Sequence, residues 1–200
     1  FAMEPIDVHP YLEQGRGIPA EYLRSEKFAG RIFIDRRGNA IFPHYGPGGL
    51  IGYEMKNDEF TSFAPGGSKG LWFSKPSKRD RYLAIAETAI DAISLAVKWP
   101  HSLETRFFSV GGSMNDSQPG FLVSALQKMH PDTVIVLAMD NDEAGDLMIE
   151  KIKTFYVAAG VSEERFHIGR PPIRGQDWNN TLTEPQNAKK EAAASPDPSP

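Results

Sequence analysis

Residues 133–146 read TVIVLAMDNDEAGD, and no other stretch limits the fold as much. An aliphatic, β-branched run stops at Asp140 and Asp142, and after Gly145 an amphipathic helical pattern begins. A continuous apolar run of this kind is a strand buried on both faces, and in open α/β sheets ligands gather beyond the carboxyl ends of such strands. In an extended segment residues i and i+2 point the same way, so both carboxylates face one pocket. Two hard oxygen ligands suit Mg2+ or Mn2+. The competing reading is a solvated loop in which Asp142 caps the next helix. An EF-hand loop is excluded, because Ala144 stands at its fifth position and Lys151 at its twelfth.

The surrounding pattern alternates strand and helix. Strands are expected at Tyr82 to Ala86, Arg106 to Val110, Thr133 to Met139 and Arg165 to Ile168. Helices are expected at Ile90 to Trp99, Gln118 to Met129 and Asp142 to Ala159. Four strands separated by helices predict right-handed crossovers and a four-stranded parallel central sheet flanked by helices. A loop from Gly169 to Leu182, containing Gln176-Asp177-Trp178-Asn179-Asn180, closes this part.

The first part of the chain differs in character. His9 to Ser25 suggests two short helical pieces joined by Gly15-Arg16-Gly17. The runs RIFID, AIFPHY, LIGYEMK and GLWFSK, separated by turn residues, predict a β-meander. Three segments follow: a small helical and β-rich segment over 1–78, an α/β domain over 79–182, and a disordered tail or linker over 183–200, whose PQNAKKEAAASPDPSP cannot build a core. The chain starts without an initiating methionine. Neighbouring domains of a longer chain are therefore expected as further partners.

Glu87 ends the strand at Tyr82 to Ala86, and Asp91 lies one helical turn further on. Acids at the carboxyl ends of two parallel strands share a crevice if those strands are neighbours, which makes joint metal or acid/base chemistry feasible. Gly111-Gly112 follows another strand and offers backbone N–H groups to an anion. Lys75, Lys78 and Arg79 lie in a basic connector, KPSKRDR, and are candidate phosphate contacts. Asp177 is either part of a local turn or an outer support of the metal site. The glycines at 66–70 lack the Gly-Lys-Ser/Thr ending of a Walker loop. The five histidines show no metal-ligand spacing, and the absence of cysteine excludes disulfides and thiolate metal sites. A formal net charge of -4 gives no global attraction to nucleic acid, so such binding must rely on local cations or a bound metal. No segment approaches the roughly 18 consecutive apolar residues of a membrane span, and no signal pattern is present. A cytoplasmic setting is expected.

Glu87 after one strand, and Asp140-Asn141-Asp142 with Ala144-Gly145 after a later one, resemble the Toprim domain shared by bacterial primases, topoisomerases and some nucleases. The resemblance covers residues 80 to 182, and the Asp177 loop resembles the one that closes primase-type members. Arg16-Gly17-Ile18, Phe42-Pro43-His44, Gly52-Tyr53-Glu54 and Lys69-Gly70-Leu71-Trp72 resemble the small segment preceding Toprim in plasmid and mobile-element proteins, including DNA-mobilisation proteins. The resemblance implies a Toprim-like Rossmannoid α/β fold. It also implies Glu87 as general acid/base, Asp140 and Asp142 (with Glu87) as Mg2+ or Mn2+ ligands, and Asp91 and Asp177 as supports. The implied partners are DNA or RNA and nucleoside triphosphates, and the implied reaction is primase-like nucleotidyl transfer. A metal-dependent nuclease and a non-catalytic binding module are the alternatives. One position departs from the pattern: Thr88 follows Glu87 where primase-like members commonly have glycine.

Overall fold

A computed structural model of the chain describes residues 8–184, together with the backbone of Glu4–Pro5. The tail expected over 183–200 lies, from residue 185 onward, outside the described residues. Two sheets meet along a shared seam. The first is an antiparallel meander of β1 (Glu4–Pro5), β2 (Phe33–Ile34), β3 (Ala40–Gly46), β4 (Gly49–Lys56) and β5 (Thr61–Phe63), paired in chain order. A π-helical turn (Tyr11–Gly15) and a short helix α1 (Ala20–Leu23) precede its main strands and bury Tyr11, Leu12 and Leu23.

The second sheet contains β6 (Trp72–Phe73), β7 (Tyr82–Ala86), β8 (Thr105–Ser109), β9 (Val134–Ala138) and β10 (Phe166–Ile168), in the order β10-β9-β7-β8-β6. Helices α2 (Ala89–Lys98), α3 (Gln118–Leu126) and α4 (Glu143–Ala158) connect its strands. Neighbours from β10 to β8 are parallel, but β6 joins β8 antiparallel, with Trp72 opposite Ser109 and Phe73 opposite Phe108. The expectation of a purely parallel four-stranded sheet is therefore corrected: the sheet is mixed and five-stranded. The reason is physical. The outer edge of β8 would otherwise present unpaired backbone groups, and the aromatic end of the preceding segment supplies their partners.

Side-chain alternation divides the core into two layers. Ala84, Ala86, Phe107, Val136 and Ala138 face α2 and the N-terminal helical pieces, while Leu83, Ile85, Phe108, Ile135 and Leu137 face α3 and α4. Trp72 is fully buried; it stacks 6.0 Å from Phe28 and meets Phe42 edge-on at 6.3 Å, so the meander and the α/β sheet share one packed seam. A buried ionic clamp reinforces that seam. Asp80 receives Lys27 at 3.1 Å and Arg106 at 2.9 Å, tying the first segment to the starts of β7 and β8. Among the described residues no helix is long and apolar enough to cross a membrane.

The strand order fixes where a site can form. From β7 the chain leaves through α2 toward β8, whereas from β9 it leaves through α4 toward β10, on the other side. β7 and β9 are direct neighbours, with Ala86 opposite Ala138. A crevice beyond their carboxyl ends is the switch point at which open α/β sheets bind ligands.

Candidate active site

Glu87 follows β7 and Asp140 follows β9, so both leave the sheet at that switch point. The Asp140 carboxyl lies close enough to Glu87 to pull its pKa down, and one of its oxygens, Oδ1, is buried without a hydrogen-bond partner. Burial pushes the Asp140 carboxyl up to about 8, helped by the charges of Asp91, Glu87, Asp177 and Asp142. Burial also raises Glu87, with Asp142 the next contributor. Asp91, buried in the first turn of α2, is pushed up to about 6 by burial and by Asp177. The other acids bear most on Asp140, because its carboxyl is both desolvated and surrounded by like charge.

Each acid is set by local structure. Thr88 is the N-cap of α2: its hydroxyl accepts the Asp91 N–H at 3.3 Å and donates to Asp91 Oδ2 at 2.5 Å. This reciprocal cap gives the residue after Glu87 a definite role at the position where a glycine is commonly found in primase-like members. Asp142 caps α4 through Oδ1, which accepts the Gly145 N–H at 2.7 Å, and its second oxygen is not used by the cap. Gly145 is required here, because a Cβ would stand 2.1 Å from the Asp140 carbonyl oxygen. Asn141, pointing away from its two acidic neighbours, holds the closing loop: its side chain donates to the Pro171 carbonyl at 2.9 Å, and its backbone pairs with Gly175 and Gln176. Asp177 exchanges hydrogen bonds with Asn180 and caps the helical turn at 180–184, while its charge reaches Glu87, Asp91 and Asp140.

Gly111 and Gly112 adopt positive φ, 71° and 80°, and both N–H groups donate to the Glu87 backbone carbonyl, at 2.9 and 3.0 Å. These two donors hold the strand end that carries the acid. Lys75, Lys78 and Arg79 are exposed and precede β7, so they lie at the opposite edge of the sheet from Glu87. Five strand residues separate the two edges, about 16 Å. The fold does not bring this connector to the crevice.

Sequence reasoning missed the cation that does reach it. On β4 the alternating residues Gly52, Glu54 and Lys56 are buried. Lys56 approaches Glu54 at 3.8 Å, and its charge also pulls Glu87 and Asp91 down. Burial alone would raise Glu54, but His44, Lys56 and Lys69 together hold it below the usual carboxylate range. His44 Nε2 lies 3.4 Å from Glu54 and its Nδ1 donates to the Gly70 carbonyl at 2.8 Å. A Cβ on Gly111 would meet this imidazole at 2.6 Å. The meander thus floors the crevice with a His44–Glu54–Lys56 row. The available signal was a strand with opposite charges two apart on one face.

Among the described residues no three histidine or carboxylate groups converge tightly enough to coordinate an ion. The donor chemistry nevertheless fits a hard divalent cation. Asp140 Oδ1 lacks a partner, the neighbouring acids repel one another, and Mg2+ is ordinarily held by one or two carboxylates, with waters and substrate phosphates completing its shell.

Residues 84–182 match the family described as Toprim-like, and residues 10–80 match the family described as Protein of unknown function (DUF3991). No sequence among proteins of curated function matches the chain. Solved structures share the fold, two of them as follows. The primase fragment of the bacteriophage T7 primase-helicase protein aligns with a TM-score of 0.59 at 14% identity, covering 91% of this chain and 72% of that one. A chain from the structure of the bacteriophage T7 lagging-strand DNA polymerase interacting with primase domains bound to an RNA/DNA hybrid and dTTP aligns with a TM-score of 0.58 at 15% identity, covering 95% of this chain and 90% of that one.

Proposed function

Residues 84–182 of this chain are a Toprim domain, and from that premise we propose that the chain performs Mg2+-dependent, primase-like nucleotidyl transfer on nucleic acid. The carrying observation is the meeting of Glu87 and Asp140 at the β7/β9 switch point, with one buried Asp140 oxygen left without a partner. Support for a primase-like substrate comes from the shared fold of the T7 primase fragment and of a neighbour whose structure contains an RNA/DNA hybrid and dTTP. The partners are accordingly DNA or RNA and nucleoside triphosphates. The resemblance of the N-terminal segment to those of mobile-element proteins favours plasmid replication or DNA mobilisation as the setting.

Asp140 and Asp142 would hold Mg2+ or Mn2+, which when bound neutralises charge on the reacting phosphate. Glu87, which burial makes a stronger base than a free glutamate, takes the proton of the attacking 3′-hydroxyl. Lys56 tempers that rise. Asp91, bound by Thr88 and the Asn179 N–H, and Asp177, bound by Asn180, hold the crevice walls and add negative potential. Gly111 and Gly112 fix the Glu87 backbone.

The test is a parallel incubation with Mg2+: single-stranded template plus labelled nucleoside triphosphates in one arm, end-labelled single-stranded DNA in the other. New labelled oligomers, lost in Glu87→Gln, support synthesis. Shortening of the labelled strand without new oligomers transfers the chemistry to hydrolysis, and inertness in both arms overturns an enzymatic role.

A further inference from the structure

The basic connector excluded from the crevice borders a different feature. A groove of about 610 Å³ runs between the tip of the β3–β4 hairpin, the edge strand β6 and the second half of α3. Tyr45, Phe73 and Phe108 form its aromatic wall, with ring centroids 5.1 and 5.5 Å apart in sequence, and Phe121 faces them from α3. The Arg31 guanidinium lies 4.5 Å from the Phe73 ring centre and 5.1 Å from that of Tyr45. Arg106 and Lys128 line the groove, and so does Pro76, the residue that follows Lys75 in the connector. Among the described residues no acidic side chain lines it.

That charge pattern runs against the whole chain, whose net charge is -4. Arg106 is held by Asp80, which leaves Lys128 and the neighbouring connector as the charge beside the rings; apolar rings with cations beside them suit a ligand with flat π-faces and a polyanionic backbone. The volume falls within the range of small-ligand sites, so a flat base can lie against the rings. The direction of the groove is also informative. It starts beside Leu71, whose backbone pairs with Tyr45 at 2.8 and 3.0 Å. The adjacent β6 residue Trp72 is opposite Ser109, two residues before the Gly111-Gly112 turn that holds Glu87. From there it follows β6 to Pro76, at the edge that carries Lys75, Lys78 and Arg79. A polymer lying in it would pass from the level of the acidic crevice to the basic connector.

We infer that this groove binds single-stranded nucleic acid, with bases stacked against Tyr45 and Phe73 and phosphates held by Lys78, Arg79 and Lys128. It is a second contact surface, separate from the acids. It rests on the proposed action on nucleic acid, and binding measured in chelator isolates it from the metal-dependent chemistry.

The probe is a fluorescein-labelled oligothymidine read by anisotropy in EDTA, with the whole chain. The wild type binds it. Tyr45→Ala weakens binding about tenfold, as expected for one lost stacking platform, while Tyr45→Phe retains it. Lys78→Glu with Arg79→Glu weakens binding at low salt and flattens its salt dependence. Asp140→Asn with Asp142→Asn leaves binding intact. The inference is overturned if the wild type does not bind, if Tyr45→Phe loses binding as fully as Tyr45→Ala, if both groove variants bind like the wild type, or if a duplex of equal length competes as well as the single strand. Binding in chelator without any synthesis or cleavage in Mg2+ would refute the proposed chemistry and leave the groove standing.

Discussion

Replacing Asp140 with asparagine should stabilise this protein at alkaline pH while abolishing its chemistry. The side chain keeps its shape and a donor toward Glu87 but loses the charge that burial, Asp91, Glu87, Asp177 and Asp142 all oppose. The sign follows from proton linkage. The folded carboxyl sits at about 8 against an ordinary 3.8, so between these values the folded state holds more protons than the unfolded chain, and stability falls as pH rises. That interval corresponds to an upper figure of about 6 kcal/mol. The carboxyl is only half-buried, and solvent screening reduces the figure to about 1–3 kcal/mol. For a chain of this size the gain is about 2–12 °C in Tm. Thermal melts followed by circular dichroism in EDTA should show an advantage for Asp140→Asn that is slight near pH 4 and grows through pH 8. Saturating Mg2+ at pH 8 should raise the wild-type Tm and leave that of the variant unmoved. An Asn variant that is equally destabilised at every pH would refute the reasoning, since its effect would then be lost packing rather than relieved charge.

Other substitutions probe the supports. Gly145→Ala drives a Cβ against the Asp140 carbonyl, and should lower stability by about 1–3 kcal/mol in urea titrations, with synthesis falling further because both acids move. Lys56→Met removes a cation that pulls Glu87 down; the acidic limb of the pH–activity profile should shift to higher pH, and Lys56→Arg should restore it. Thr88→Ala deletes the α2 cap and the hydroxyl donor to Asp91; a loss of about 1 kcal/mol is expected, accompanied by a rise in the Asp91 pKa seen by carboxyl-resolved NMR titration.

The parts of this molecule visible in sequence were those coded locally. The apolar run before Asp140 could only be a buried strand, and the Asn141 neighbour had to face away from the two acids, as it does when it holds the closing loop. Glu87 and Asp140 could be matched because their strands end alike, and β7 and β9 are indeed neighbours. What stayed hidden depends on contacts distant in sequence. Trp72 and Phe73 look like the end of a meander, and nothing in their pattern says that they complete the edge of β8. Lys56 reads as an ordinary polar position in an alternating strand until the meander is laid over the crevice. The glycines at 111 and 112 signalled a turn, but that their N–H groups serve the Glu87 carbonyl follows only from the β7–β8 register. The basic connector advertised phosphate contacts without saying at which edge of the sheet it lies.

The central claim is that the acids beyond β7 and β9 form a divalent-metal site for nucleic-acid chemistry. A crystal soaked in Mn2+ and a nucleoside triphosphate, examined by anomalous scattering, tests it most directly. The account predicts a Mn2+ peak about 2.0–2.3 Å from carboxylate oxygens of Asp140 and Asp142, with triphosphate oxygens completing the shell and Glu87 alongside. A nucleotide bound with no anomalous peak at these carboxylates, or a peak only elsewhere in the protein, would contradict it.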